Sequence, residues 1–600
     1  MGFIGLEAEE YDRIYKDRDL LKRILIYFHP YKHHFVSVVL LLTINSIVTS
    51  FVPVFSAMAI DNLVSNLDPI FLLFTLSIVF LFNLLDWVIN YFRQSLTARV
   101  VGNIMLDLRK DASLSVLNHD LSFFDKAPTG KIVSRINTDS REFGQTVDLT
   151  MQLLSSILVI VILLIILLVI NIVLVFIFIL TIPLFFIAAL SLRKIARQRT
   201  LLGQRALASV NAFVQESFSG IQIAKTFRQE DKLYEDFKNV NNQSYRVNLR
   251  RAFVINAIFP ALGIVQGVAL TLLVYYGGNS VLGGQISAGD LFLFTQSLWR
   301  LFFPLVVIAS FWPQFQAGLS ASERIFALID ATPAVNQRNN IKPDRFNGEI
   351  EFRNLTFEYE ESKRVFNNFT LTIKPGESIA IVGHTGAGKS SLAKILMRFY
   401  EFQGGEILID GKSIRDFELN EYRTQIGFIP QTPFLWAENV DDNIKYCCQD
   451  ASQEEVIGAL NKAGGADWIS DLSLGLDTYV HERGKLLSMG QRQLVVFARV
   501  LLEDPSILIL DEATASVDPF TETRIQEALE KTIQGRTSII IAHRLWTVRH
   551  VDRIIVLDHG KIVEEGNHDE LMSKGGTYAN LYNTYFRHQS LEYIEKIKEL

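Results

Sequence analysis

Eight consecutive residues, Gly383, His384, Thr385, Gly386, Ala387, Gly388, Lys389 and Ser390, carry the chemistry of polyphosphate binding. Their glycines remove the Cβ clashes that would stop backbone N–H groups from curling around phosphate oxygens. Lys389 supplies charge for the β- and γ-phosphates, and the Ser390 hydroxyl suits Mg²⁺. An apolar run, Ser378–Val382, leads into this loop, and a helical pattern (SLAKILMRF, from Ser391) leaves it. That strand–loop–helix context is the one the motif requires. A second apolar run, Ser506–Leu510, ends in Asp511 and Glu512. An acid at such a strand end can hold Mg²⁺ through water, and the next carboxylate is placed to polarise an attacking water. The expected chemistry is binding and hydrolysis of a nucleoside triphosphate.

The order Tyr359, GHTGAGKS, Gln431, LSMGQ (Leu487, Ser488, Met489, Gly490, Gln491), ILILDEAT, Ser516-Val517-Asp518 and His543 resembles the nucleotide-binding domain of ATP-binding cassette (ABC) transporters. The resemblance runs through 349–585. It implies an α/β P-loop domain that binds ATP through Tyr359, the loop Gly383–Ser390, Ser391 and Gln431. Ser390, Gln431 and Asp511 would serve the metal, and Glu512, Lys389 and His543 catalysis. Tyr359 would stack on adenine, and Gln431 would sense both Mg²⁺ and the transmembrane part. The resemblance also implies a head-to-tail dimer, in which LSMGQ and the D-loop residues Ser516 and Asp518 serve a site shared with a second domain.

A phosphate site of this kind must be held by a compact domain, and the chain has room for more than one. Its 600 residues are 49% hydrophobic, with 43 Phe, and the apolar residues are concentrated before about Pro313. Six segments there are apolar over the ~20 residues needed to cross a hydrocarbon core: roughly 34–58, 70–92, 147–169, 172–192, 254–278 and 289–312. The run Leu153–Leu190 is too long for one crossing, so Asn171 is expected to turn it into a hairpin. Connections at Ala59–Pro69, Asn171 and Gly277–Asp290 lack Lys and Arg, whereas the two longer ones are rich in them. Basic residues favour the cytoplasmic side, which puts the N-terminus and the ATP-binding half there in a multi-pass protein of the cell membrane. A formal net charge of −6 argues against nucleic-acid binding. Cys447 and Cys448 are adjacent, a poor disulfide and a poor zinc site. The acidic N-terminus has no signal-peptide pattern.

The expected domains are 1–330, an all-α six-helix transmembrane domain; 331–348, a polar linker; 349–587, the ATP-binding cassette domain; and 588–600, a C-terminal helix. Asp86 and Arg300 are charged within the spans. Charges there either pair structurally or line a pathway, and Gln152, Gln266, Gln296, Trp299 and Phe303 are further cavity candidates.

Six spans fused ahead of one nucleotide-binding domain resemble the type IV exporter architecture. The stretches Phe123–Asp139 and Val214–Asp231 are similar to the exporter's two intracellular loops, with short coupling helices expected near 110–121 and 211–221. HERG, His481–Gly484, is similar to a loop that meets these helices, with His481 in place of the usual glycine. The implied activity is ATP-driven export of amphipathic or hydrophobic substrates (drugs, lipids or peptides). Met489 replaces the first glycine of the family's LSGGQ signature, where a Cβ restricts φ and adds bulk near phosphate. Intact Glu512 beside an altered signature resembles one subunit of the asymmetric heterodimeric exporters. The expected partner is therefore a non-identical half-transporter with LSGGQ and a degenerate acid; the alternative is a homodimer that tolerates Met489. Use of the same fold for uptake or as a regulated channel is a further alternative.

Overall fold

The structure, a computed structural model, describes residues 17–65, 68–335, 337–359, 364–470, 472–511, 519–542 and 545–586. They form two compact units, one of 1–117 with 129–331 and the other of 118–128 with 332–600.

The helices are α1 (Asp17–Phe28), α2 (Lys32–Ser65), α3 (Pro69–Leu117), α4 (Leu121–Lys126), α5 (Thr129–Ser134), α6 (Ser140–Ile170), α7 (Ile172–Ser219), α8 (Ile221–Thr226), α9 (Glu230–Asn256), α10 (Ile258–Leu282) and α11 (Ala288–Asp330). Among the described residues, six helical segments are long and apolar enough to cross a membrane. α3, with 49 residues, is about 74 Å long at 1.5 Å per residue. That is more than twice the ~30 Å hydrocarbon core, so its far end stands well clear of the bilayer.

The hairpin between α6 and α7 forms at Asn171, as expected. Its backbone is extended, and its side chain accepts from Val173 N at 3.0 Å and Leu174 N at 3.1 Å, capping α7. At the turn into α11, Ser287 and Asp290 make a reciprocal cap. Asp61 of α2 accepts from the Ser287 hydroxyl at 2.7 Å and Gly289 N at 2.6 Å. A Cβ on Gly289 would lie 2.2 Å from the Ala57 carbonyl oxygen, so α2 and α11 meet through bare backbone.

The two short helices of the loops lie about ten residues later than expected, at Leu121–Lys126 and Ile221–Thr226. α3 has no proline beyond its first residue and runs through Gly102 to Leu117. Asp120 caps α4, and Ala127 ends it in an extended conformation ahead of Pro128. Gly220, a poor helix former, separates α7 from α8.

The second unit contains α4 and ten strands: β1 (Ile350–Glu358), β2 (Arg364–Ile373), β3 (Ser378–Val382), β4 (Gly404–Ile409), β5 (Lys412–Ser413), β6 (Ile426–Ile429), β7 (Ile507–Asp511), β8 (Thr537–Ile541), β9 (Arg553–Asp558) and β10 (Lys561–Gly566). They make one sheet ordered β2-β1-β4-β5 and another ordered β10-β9-β3-β8-β7-β6. In the larger sheet β9, β3, β8, β7 and β6 run parallel. Ile379, Ile381, Ile507, Ile509, Ile539 and Ile541 point into one hydrophobic core, while Ala380, Val382, Leu508, Leu510 and Ile540 point into the other. Burial on both faces explains why these strands read as unbroken apolar runs.

Candidate functional site: the nucleotide end of the parallel sheet

β3 ends in the glycine loop, which requires backbone that only glycine takes readily. Gly383, Gly386 and Gly388 have φ of 155°, 85° and 105°. A Cβ on Gly383 would sit 2.2 Å from the Leu557 carbonyl oxygen. Lys389 opens helix α12 (Lys389–Leu396), and its ammonium donates to the Gly383 carbonyl at 2.8 Å and the His384 carbonyl at 3.0 Å. Burial pushes the Lys389 pKa down, and the Asp511 carboxylate opposes that shift. The side chain is therefore folded over the loop, with its charge held in the concavity. His384, Thr385 and Gly386 are exposed, Ala387 and Gly388 are buried, and Ser390 is half-buried.

Parallel strands bring their C-terminal ends to one edge, where ligands of open α/β sheets bind. Here that edge carries the loop after β3, Asp511 at the end of β7, and exposed Gln431 two residues beyond β6. The hard oxygen donors of Ser390 and Asp511 suit Mg²⁺ chemically. Glu512, Ser516, Val517, Asp518 and His543 lie outside the described residues, as does the segment 588–600.

Tyr359 follows β1. Its hydroxyl donates to the buried Ser391 hydroxyl of α12 at 3.0 Å, and its ring meets Tyr400 (centroids 5.0 Å apart) and Phe357 (4.8 Å) edge-on. The Tyr400 hydroxyl donates to Asp125 of α4. A continuous chain of contacts thus runs from α4 through Tyr400 and Tyr359 to the helix that begins with Lys389. Tyr400 and Asp125 are not evident from sequence, because neither lies in a nucleotide motif and their 275-residue separation hides the pairing.

α4 itself is fastened by Asp120. This buried carboxylate accepts from Ser122 N at 3.1 Å, Ala334 N at 2.5 Å and Val335 N at 3.1 Å. Burial alone would raise its pKa, but the hydrogen bonds from the Ser122 hydroxyl and these amides outweigh burial and hold it below the usual value. Asp120→Ala should destabilise this unit by about 1–3 kcal/mol, since the amides lose a charged acceptor. Because the folded-state pKa is depressed, the contribution is complete above the unfolded carboxylate pKa. It is lost as pH falls through the folded value. Thermal melting of wild type and variant should accordingly differ at pH 7 and converge in acid.

In LSMGQ, Leu487 is buried and Ser488 caps the helix Met489–Glu503. The Ser488 hydroxyl accepts from Gln491 N at 3.2 Å while Gln491 Oε1 accepts from Ser488 N at 2.9 Å. Gly490 is buried and Met489 is exposed. The expected restriction of φ by the Met489 Cβ does not arise: Met489 is the first residue of a helix, and its φ is not positive. What it adds is bulk at the helix N-terminus. Strain appears instead at His481, whose φ of 58° and ψ of −178° fall in a region that favours glycine, at a cost of about 1–3 kcal/mol.

In the helical unit, Asp86 accepts from Asn45 and Thr49 of α2, while Arg300 donates to the Thr49 carbonyl at 2.9 Å. The two charges converge on one turn of α2. Gln296, Trp299 and Phe303 lie exposed on α11. Gln152 donates to Asp148 at 2.9 Å. Gln266 lines a cavity of about 30 Å³ with Phe178 and Phe185.

Comparison with known proteins agrees with these two units. Residues 35–305 match the family described as ABC transporter transmembrane region, and 366–515 match that described as ABC transporter. The chain is 36% identical over 507 residues to the uncharacterized ABC transporter ATP-binding protein YknV of Bacillus subtilis (strain 168), covering 83% of this chain and 84% of the relative. It is 34% identical over 500 residues to the ATP-dependent lipid A-core flippase of Syntrophus aciditrophicus (strain SB), covering 83% of each. A solved structure of a bacterial Atm1-family ABC exporter with ATP bound superposes with a TM-score of 0.76 at 25% identity, covering 92% of this chain and 98% of that one. The chain belongs to the ABC transporter family, as a multi-pass membrane protein of the exporter fold that couples ATP hydrolysis to transport.

Proposed function

We propose that this chain is one half of an exporter that moves amphipathic or hydrophobic molecules (lipids, drugs or peptides) by alternating access. The observation that carries this reading is the joining, in one chain, of six apolar helices to a P-loop sheet. Similarity to a protein named as a lipid A-core flippase supports an amphiphilic substrate. Trp299 and Phe303, exposed four residues apart on one face of α11, offer aromatic surface to such a molecule. The N-terminus and the ATP-binding domain are cytoplasmic in this reading, following the basic residues of the long loops.

Two ATP molecules would close paired nucleotide domains and turn the cavity outward, and hydrolysis would reset it. In that site Ser390, Gln431 and Asp511 would hold Mg²⁺, which supplies charge neutralisation at the phosphates. Tyr359 would stack on adenine. Glu512 would orient water, with Lys389 and His543 stabilising charge on the γ-phosphate. Leu487–Gln491, with Ser516 and Asp518, would complete the partner's site.

The partner in this reading is a non-identical half-transporter with LSGGQ and no equivalent of Glu512. The bulk of exposed Met489 at a helix N-terminus that must approach phosphate supports it. The ordinary helical backbone at Met489 favours the competing homodimer. Mass analysis of the complex purified from its native membrane through a tag on this chain, with ATPase assayed on the same sample, separates the two. A second ABC subunit in equal amount is expected. An active complex of this chain alone would refute the heterodimer.

A further inference from the structure

α1 makes its polar attachments to the bundle through one face. Leu20 is buried, Arg23 pairs with Asp330 and lies over the Phe326 ring at 5.0 Å, and Tyr27 donates to Asp111 at 2.7 Å. Its other face, carrying Leu21, Ile24, Leu25 and Phe28, forms one wall of a cavity of about 370 Å³. α6 and α11 supply the remaining apolar walls, and α2 begins at its rim.

Three observations say what belongs there. The first is depth. The cavity uses the start of α2 (Lys32, Phe35), the start of α6 (Phe143–Met151) and the last turns of α11 (Phe315–Ser322). These flank the beginnings of the first and third apolar segments and the end of the sixth, which all lie on the same side of a bilayer. The cavity therefore sits where hydrocarbon gives way to headgroups. The second is lining, whose exposed surface is predominantly apolar. The third is charge at the rim: exposed Lys32 lines the cavity, with the exposed His29 imidazole beside it. Lys32 makes no ion pair with a described residue. The acids Asp107 and Asp111 accept from the hydroxyls of Tyr31 and Tyr27, each at 2.7 Å, and are not part of the cavity's lining.

An apolar slot opening on a cationic rim at headgroup depth fits one class of molecule. We propose that this cavity is a binding site for an anionic phospholipid of the surrounding leaflet, with an acyl chain between α1, α6 and α11 and the phosphate at Lys32. It is distinct from the central pathway proposed for substrate. It would tie α1, and through Arg23–Asp330 the end of α11, to the charge of the membrane.

The test uses the complete transporter in nanodiscs of phosphatidylcholine doped with phosphatidylglycerol carrying a photoactivatable group near its acyl-chain end. Phosphatidylcholine with the same chain serves as the control, and labelled peptides are located by mass spectrometry. Labelling by the phosphatidylglycerol probe is expected within 21–35, 143–151 and 315–322. Lys32→Gln should cut it about fivefold, the loss for one juxtamembrane cation, without changing phosphatidylcholine labelling. Thr150→Trp, which fills an exposed wall position, should abolish labelling by both probes while ATPase activity confirms folding. Equal labelling by the two lipids, indifference to Lys32→Gln, or absence of label because protein covers the cavity would each overturn the proposal.

Discussion

Glu512→Gln should reduce steady-state ATP turnover by about 10²–10⁴-fold, the usual contribution of a positioned general base, while ATP binding survives. Glu512 follows Asp511, which closes β7, separated by β8 alone from β3, the strand leading to the glycine loop. A carboxylate there can polarise a water aimed at the γ-phosphate. The amide is nearly isosteric but a far weaker proton acceptor, so the variant should load ATP and stall. Trapped [α-³²P]ATP recovered undegraded from the variant would support the role. Rapid hydrolysis in the variant would refute it.

Lys389→Ala should act earlier, weakening ATP binding as well as lowering turnover by about 10²–10³-fold, the scale for losing one preorganised charge-stabilising donor. The Lys389 ammonium is held over the loop by the Gly383 and His384 carbonyls, with Asp511 close enough to affect its pKa. Removing it leaves the concavity without its cation. The pair of variants is diagnostic: nucleotide binding measured by filter retention should be near normal for Glu512→Gln and strongly reduced for Lys389→Ala.

The motifs of the ATP site were legible because their chemistry forces local sequence. A loop that wraps phosphate needs glycine at φ of 85–155°, and a strand buried on both faces needs an unbroken apolar run. The hairpin at Asn171 was legible for a similar reason, since a polar cap in the middle of a long apolar run has few other uses. The helices at Leu121 and Ile221 were displaced in the reading because the long helices run on past Gly102, Pro183 and Gly203 and give way only near Asp120 and at Gly220. The Tyr359–Tyr400–Asp125 chain was invisible, because contacts between distant segments leave no periodicity. Met489 and His481 show opposite outcomes of one argument. Each stands where the family has glycine, yet Met489 begins a helix without a positive φ while His481 takes a φ of 58°. A glycine position therefore implies strain only when the backbone there uses the left-handed side.

The most direct measurement is ATP-driven movement of amphiphiles in proteoliposomes containing the transporter purified through this chain, compared with its Glu512→Gln form. A fluorescent phospholipid, a lipophilic dye and a hydrophobic peptide would be followed in parallel with phosphate release. At least one is predicted to move only with ATP and Mg²⁺, to accelerate hydrolysis, and to stop moving in Glu512→Gln. Hydrolysis at full rate with none of the three moved or stimulating, or movement that persists in Glu512→Gln, would contradict the account.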